Sequence, residues 1–307
     1  MNFNLLAIVV PYYKLSFFDA TLASLSIQTN MHFKVYIGDD ASTESPHNLL
    51  EKYKGKFDFK YHRFPQNKGA ISLVQQWERC IDMTSNEKWI MILGDDDVLQ
   101  ENCVASFYAN LSDINANDCK VIRFATQVIN QDNKLISDLY YHPKIENSVE
   151  FVMRKLQGHT RSSLSEYIFD KNKLITTQFK DFPLAWYSDL LGVLEFSDFK
   201  NIFTINEALV YFRLSGQNIT SKNDNLVNKN IATYAFYYYL IDKKSRYFDA
   251  LQKHFLLHKL EKTFLDNKRN VHFWKTFTTL YFSRIYIKRY FNLILKMGQM
   301  VVKKGIS

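Results

Sequence analysis

Apolar and polar positions divide the first 130 residues into two alternating kinds of segment. Residues 5–10 are a continuous apolar run rich in Ile and Val, the pattern of a strand buried on both faces. Residues 16–28 then carry Phe18, Leu22 and Leu25 at helical spacing, with Ser16 in an N-cap position. The alternation continues with strands over 33–37, 59–64, 89–93 and 121–129, and helices over 48–53, 70–83 and 101–111. Strands that recur about every 25–30 residues with helices between them predict βαβ units and a mainly parallel sheet flanked by helices, an α/β fold. Ligands of such sheets bind at the carboxyl ends of the strands, so the residues just after each strand carry the functional expectation.

Beyond residue 130 the pattern is less regular. It predicts a helix over 150–156, a strand over 165–169 and a helix over 188–196. From residue 226 onward the chain reads as helical and aromatic-rich, with Lys and Arg throughout. Two regions follow: an α/β domain over 1–220, and a basic, helical, aromatic-rich C-terminal region over 221–307.

Four turns at the expected strand ends hold the candidate chemistry. Pro11-Tyr12-Tyr13 follows the first strand, either as an aromatic wall for a nucleobase or as an ordinary strand-to-helix turn. Gly38-Asp39-Asp40 follows the second; a carboxylate there either accepts from a base or ribose, or caps the next helix. Asn67-Lys68-Gly69 follows the third, where Gly69 permits a tight turn and Lys68 either offers a charge to phosphate or is a solvated lysine on a simple loop. Gly94-Asp95-Asp96-Asp97 follows the fourth. Three adjacent carboxylates repel one another. A divalent cation such as Mg²⁺ or Mn²⁺, which takes carboxylate and phosphate oxygens, would relieve that repulsion. The other reading is a solvated acidic turn favoured by the dipole of the next helix.

These segments, in this order, resemble the family 2 inverting glycosyltransferases of GT-A fold. Residues 6–13 resemble the family's opening strand and turn, and Val35–Thr43 its "VVDDGST" segment, which implies that Asp40 contacts the base. Asn67-Lys68-Gly69 is similar to the "NxG" turn. Residues 92–99 resemble the strand end bearing the DxD motif, with the implication that Asp96 faces the ribose and that Asp97, with Asp95, meets the metal. Trp186-Tyr187-Ser188-Asp189 lies where the family carries its catalytic base, so the resemblance implies Asp189 in that role; without it, Asp189 reads as a helix cap. Trp186 and Tyr187 are then candidates for acceptor contact, and Arg213, in a strand similar to the family's "EpLvyyR", for phosphate contact. The resemblance spans residues 5–220. Three positions depart from it: Gly94 replaces the first Asp of the usual DxD, Ser188 the acidic neighbour of the base, and Ser215 a metal-binding His. It implies a nucleotide-sugar donor, UDP-linked, and a glycan or lipid-linked glycan acceptor of the kind bacteria use in surface polysaccharides.

Composition adds three constraints. With 47% hydrophobic and 23% charged residues, the 307-residue chain can build a large core. Its net charge of +8 suits an acidic ligand without choosing one. Three cysteines, Cys80, Cys103 and Cys119, without metal-type spacing fit a reducing compartment. Neither a signal peptide nor a membrane-spanning run is read, so a cytoplasmic protein is expected. The C-terminal mixture of basic and bulky apolar residues, Arg284–Lys296 and Val301–Lys304, fits either peripheral contact with the inner face of the membrane or a packed helical subdomain. A sugar nucleotidyltransferase is the competing enzyme, but it would want a Gly-rich basic loop where Pro11-Tyr12-Tyr13-Lys14 stands. Nucleic-acid binding is not expected, since no basic groove or known module is read. A non-catalytic nucleotide-sugar-binding relative remains an alternative.

Overall fold

The computed structural model describes residues 4–216, 225–284 and 286–304, with side chains as far as Met297 in the last helix. Ile285 and the side chains of Val301–Lys304, which belong to the basic apolar segment read from the sequence, lie outside the described residues. The chain forms two compact units, Met1–Leu226 and Val227–Ser307.

The first unit begins as the periodicity predicts. Strands and helices alternate as β1 (Leu6–Tyr12), α1 (Phe18–Ser26), β2 (Phe33–Asp39), α2 (His47–Tyr53), β3 (Phe59–Arg63), α3 (Leu73–Ile81) and β4 (Trp89–Ile92). Ser16 does not cap α1. Phe17 precedes the helix without a side-chain cap bond, and the entry turn closes through the backbone, Phe18 N to Leu15 O at 3.1 Å. After β4 come a two-residue β5 (Val98–Leu99), α4 (Cys103–Ala116), β6 (Val121–Ile129), β7 (Ile145–Asn147) and α5 (Ser148–Leu156). The unit closes with β8 (Tyr167–Asp170), α6 (Lys171–Thr177), α7 (Ser188–Phe196) and the long β9 (Asn201–Arg213).

One sheet runs β3-β2-β1-β4-β8-β6-β9-β5, with β7 on β9. The first four strands pair in parallel, Leu6 opposite both Phe33 and Trp89. β8 enters antiparallel to both β4 and β6, so the sheet is mixed. Ile8, Val10, Val35, Ile37 and Met91 are sealed in the core. Burial of such continuous apolar strands on both faces fixes the register and aligns the ends of β1, β2 and β4 at one edge.

The second unit is helical: α8 (Leu226–Lys243), α9 (Ala250–Asp266), α10 (Val271–Ser283) and α11 (Ile287–Lys304). Its aromatics form its core. Tyr234 stacks on Phe273 at 3.9 Å, and Phe264 on Phe277 at 4.2 Å. Buried Glu261 accepts from the Tyr281 hydroxyl at 2.8 Å and pairs with Arg289, which ties α11 to α9.

Candidate active site

The aligned strand ends open onto a cleft of about 570 Å³. Pro11, Tyr12 and Tyr13 reach it from β1, and Asp40 from β2. Asn67 and Gly69 reach it from the turn after β3, and Asp95, Asp96 and Asp97 from the turn after β4. The four turns singled out in the sequence thus share one cavity. Lys68, Trp186, Tyr187, Asp189 and Arg213 lie outside its lining.

Each carboxylate has a distinct environment. Asp39, fully buried, accepts from the Tyr61 hydroxyl at 2.6 Å, Arg63 at 2.9 Å and the Ser42 N–H at 2.8 Å. It ties β2 to β3. Asp40 accepts from the backbone N–H of Lys68 at 2.7 Å and of Gly69 at 2.8 Å, and pairs with Arg79. It therefore shapes the 67–69 turn. That turn needs its glycine, because a Cβ at position 69 would stand 2.4 Å from Asp40 Oδ2. Asn67 caps the same turn by accepting from the Ala70 N–H at 2.8 Å.

The acidic turn is held from three sides. Asp95 Oδ2 accepts from the N–H groups of Tyr13 at 2.7 Å and Lys14 at 2.9 Å, so it fixes the loop after β1. Asp97 is buried, and both its oxygens are engaged: Oδ2 by the Ser165 hydroxyl at 2.5 Å and Oδ1 by the Arg213 N–H at 2.8 Å. Arg213 is fully buried; its guanidinium donates to the carbonyls of Asp96 at 2.7 Å and Asn130 at 2.9 Å and lies over the Phe17 ring. It clamps the turn from behind, which does not suit the phosphate contact expected of it. Asp96 is half-buried and lines the cleft. Burial first, then the charges of Asp97 and Asp95, push its carboxyl well above the usual range.

A divalent cation fits this arrangement only in part. Asp97, expected to take the metal, lines the cleft and already accepts one protein hydrogen bond on each oxygen, which leaves a further lone pair on each for a cation. Among the described residues no cluster of three or more acidic, His or Cys side chains could hold an ion. Asp96 lines the cleft beside Asp97, crowded by like charges that a cation would offset. One carboxylate together with substrate phosphates is an ordinary Mg²⁺ or Mn²⁺ arrangement.

Asp189 sits in the first turn of α7. The segment leading to it is strained: Leu184, Ala185 and Tyr187 all have left-handed backbones, with φ of 61°, 51° and 72°. Each non-glycine residue so placed costs on the order of 1 kcal/mol or more, and such strain persists where surrounding contacts enforce it. Ser188 enforces it here, being buried and donating to the Lys180 carbonyl at 2.6 Å. Leu184 carries the segment to the cleft wall. Asp189 is half-buried, and burial raises its carboxyl above the usual range against the opposing pull of its own backbone donors, Lys155 and Arg161. Trp186 and Tyr187 meet edge to face at 5.9 Å.

The sequence did not single out Arg161, Ser165 or Trp77. Ser165 holds Asp97 and also accepts from the Gly94 N–H at 3.0 Å. Arg161 pairs with buried Glu166 at 3.1 Å, lies over Phe212, and its charge favours the ionised forms of both Asp97 and Asp189. Both come from the segment between α5 and β8, where no periodic pattern marks a strand end. Trp77 lines the cleft from α3 and meets Phe179 edge to face. It sits at an ordinary helical position that nothing in the sequence distinguishes.

Fold and cleft together define a glycosyltransferase of GT-A type. The profile described as "Glycosyl transferase family 2" matches residues 7–187, and the chain belongs to that family. Among solved structures it is similar to TarS residues 1–349 from S. aureus, crystallised in complex with UDP-GlcNAc. The TM-score is 0.65 at 14% identity, covering 85% of this chain and 72% of that one. It is also similar to GalNAc-T7 with UDP, GalNAc and Mn²⁺, with a TM-score of 0.52 at 10% identity, covering 86% of this chain and 56% of that one. No curated protein sequence matches the chain.

Proposed function

We propose that the protein is an inverting glycosyltransferase that moves a sugar from a nucleotide diphosphate donor, a UDP-sugar, to a hydroxyl of a glycan or lipid-linked glycan. The observation that carries this reading is the convergence of Asp40, the 67–69 turn and Asp96 on one cleft at the ends of β2, β3 and β4. Similarity to proteins crystallised with UDP-GlcNAc and with UDP and Mn²⁺ supports the choice of donor.

The nucleotide lies along the ends of β1 and β2. The Pro11–Tyr13 backbone and the 67–69 turn, braced by Asp40, shape its base and ribose pocket. Lys68, exposed on that turn, meets the donor as it enters. Asp96 would hold a divalent cation, which when bound offsets charge on the diphosphate. Asp95 and Asp97 position the turn that carries Asp96.

Transfer is a single displacement. The acceptor oxygen forms a bond to the anomeric carbon as the bond from that carbon to the diphosphate oxygen breaks, and the electron pair leaves with the diphosphate. The acceptor proton goes to the Asp189 carboxylate. A hydroxyl is a weak nucleophile, and a positioned base contributes about 10²- to 10⁴-fold. A carboxyl raised by burial accepts a proton more readily than an exposed one, which suits that task. Trp186 and Tyr187 offer aromatic faces to the acceptor sugar.

The test is UDP release from a panel of UDP-sugars incubated with glycan acceptors, with the anomeric configuration of the product read by NMR. Acceptor-dependent release with inverted configuration is expected. Retained configuration, or no release from any nucleotide sugar, would overturn the reading.

A further inference from the structure

The two units carry opposite charge. Residues 227–307 contain sixteen Lys and Arg against four Asp and Glu, a net +12, which leaves −4 for the remainder of the chain's +8. Within the second unit, α11 has one face that packs and one that does not. Leu293 is buried and Arg289 is paired to Glu261, so that side faces the unit's core. On the other side Ile287, Phe291 and Leu295 recur every four residues and are 38%, 53% and 65% exposed. Phe282, at the end of α10, is 47% exposed and meets Phe291 edge to face at 6.4 Å. The stripe is therefore two aromatic rings and two branched aliphatic side chains wide open to solvent.

The neighbours of that stripe fix its partner. Lys288 and Lys296 are exposed and each directly follows a stripe residue, whereas Arg284, 44% exposed in its side chain, is paired with Asp242 at 3.3 Å. The helix from Ile287 to Lys304 carries no acidic residue. An apolar stripe on a helix without acidic residues, flanked by lysines, is the arrangement that lies flat in the headgroup region of an anionic bilayer, with bulky side chains at the acyl boundary and lysines at the phosphates. No helix among the described residues is long and apolar enough to cross a membrane.

We propose that the exposed face of α11, with Phe282 beside it, docks the protein onto an anionic lipid surface. The contact is reversible and has two components. Neither a short apolar stripe nor a basic patch holds firmly alone, and together they select membranes that carry negative headgroups. The docking does not depend on the nucleotide cleft. It complements a lipid-linked acceptor by bringing enzyme and acceptor to the same surface.

The test uses the full chain in vesicle co-sedimentation, comparing pure phosphatidylcholine with phosphatidylcholine containing phosphatidylglycerol. Binding to the anionic vesicles only, weakened by high salt, is expected. The double variants Phe291→Ser/Leu295→Ser and Lys288→Glu/Lys296→Glu should each lower the partition coefficient by about tenfold or more. UDP affinity should be unchanged in both, which separates this result from any failure of the proposed donor site, and unchanged circular dichroism and melting temperature show that the helical unit is still folded. Equal binding of wild type and both variants, or no binding to anionic vesicles, would overturn the proposal. A self-association in sedimentation velocity that the Phe291→Ser/Leu295→Ser change abolishes would overturn it as well, by assigning the stripe to a second copy of the chain.

Discussion

Asp189 combines partial burial with a position on a strained, well-braced turn, and the role of base proposed for it makes a sharp prediction. Replacing it with Asn keeps the shape and removes the basicity, so transfer should fall by about 10²- to 10⁴-fold while donor affinity is unchanged. The pH profile carries the same information. A base must be ionised, so the rate falls as pH drops through its pKa. Burial raises that pKa, so the acid limb of the wild-type profile should lie above the ordinary carboxylate value of about 4. A limb at or below that value would mean that Asp189 is not the titrating base. Gly69 gives a second prediction. Its Ala variant forces a Cβ to within 2.4 Å of Asp40 Oδ2, the oxygen that accepts from the Gly69 N–H, while Lys68 and Arg79 pin the other oxygen of the same carboxylate. We expect a stability loss of about 1–3 kcal/mol in urea unfolding and weaker nucleotide binding in calorimetry.

At the scale of elements, the sequence was most legible where burial is total. β1 and β4 are apolar nearly throughout and β2 is apolar over Val35–Ile37, and the ends this places bring four separate turns to one cleft. What escaped was direction and pairing. β8 is as apolar as its neighbours, and a short buried run says nothing about whether it runs parallel or antiparallel; only the connection through β6 decides that. Division of labour among the three acidic residues also escaped. Asp95, Asp96 and Asp97 are equivalent in sequence, and all three line the cleft; only the arrival of the Tyr13 and Lys14 N–H groups, of Ser165 and of the Arg213 N–H separates the carboxylates that brace the turn from Asp96. The clamp on this turn is itself testable. Arg213→Met strips the carbonyls of Asp96 and Asn130 of a charged donor. It should cost about 2–3 kcal/mol of stability and lower donor affinity by loosening the turn. Unchanged affinity in a folded variant would mean that the turn holds its shape without the clamp.

Across the whole molecule, chemistry and charge separate. The unit that holds the cleft is net acidic, and the helical unit is strongly basic. The family match ends at residue 187, before β9 and the helices that follow. The sequence marked the C-terminal region as basic and aromatic but did not distinguish packed aromatics from exposed ones. In the structure Tyr234, Phe264 and Phe277 are core, whereas Phe282 and Phe291 face solvent. Similar spacing of similar residues serves both ends, which is why the pattern alone left both readings open.

The central claim is that this cleft binds a nucleotide diphosphate with a cation held by Asp96. Calorimetric titration of the full chain with UDP, GDP, dTDP and CMP, each with and without Mn²⁺, tests it most directly. UDP should bind best and bind more tightly with Mn²⁺. The metal-dependent gain should vanish in Asp96→Asn and persist in Asp189→Asn. A wild-type protein that binds none of these nucleotides under any condition, or an Asp96→Asn variant with the full Mn²⁺ gain, would contradict the account.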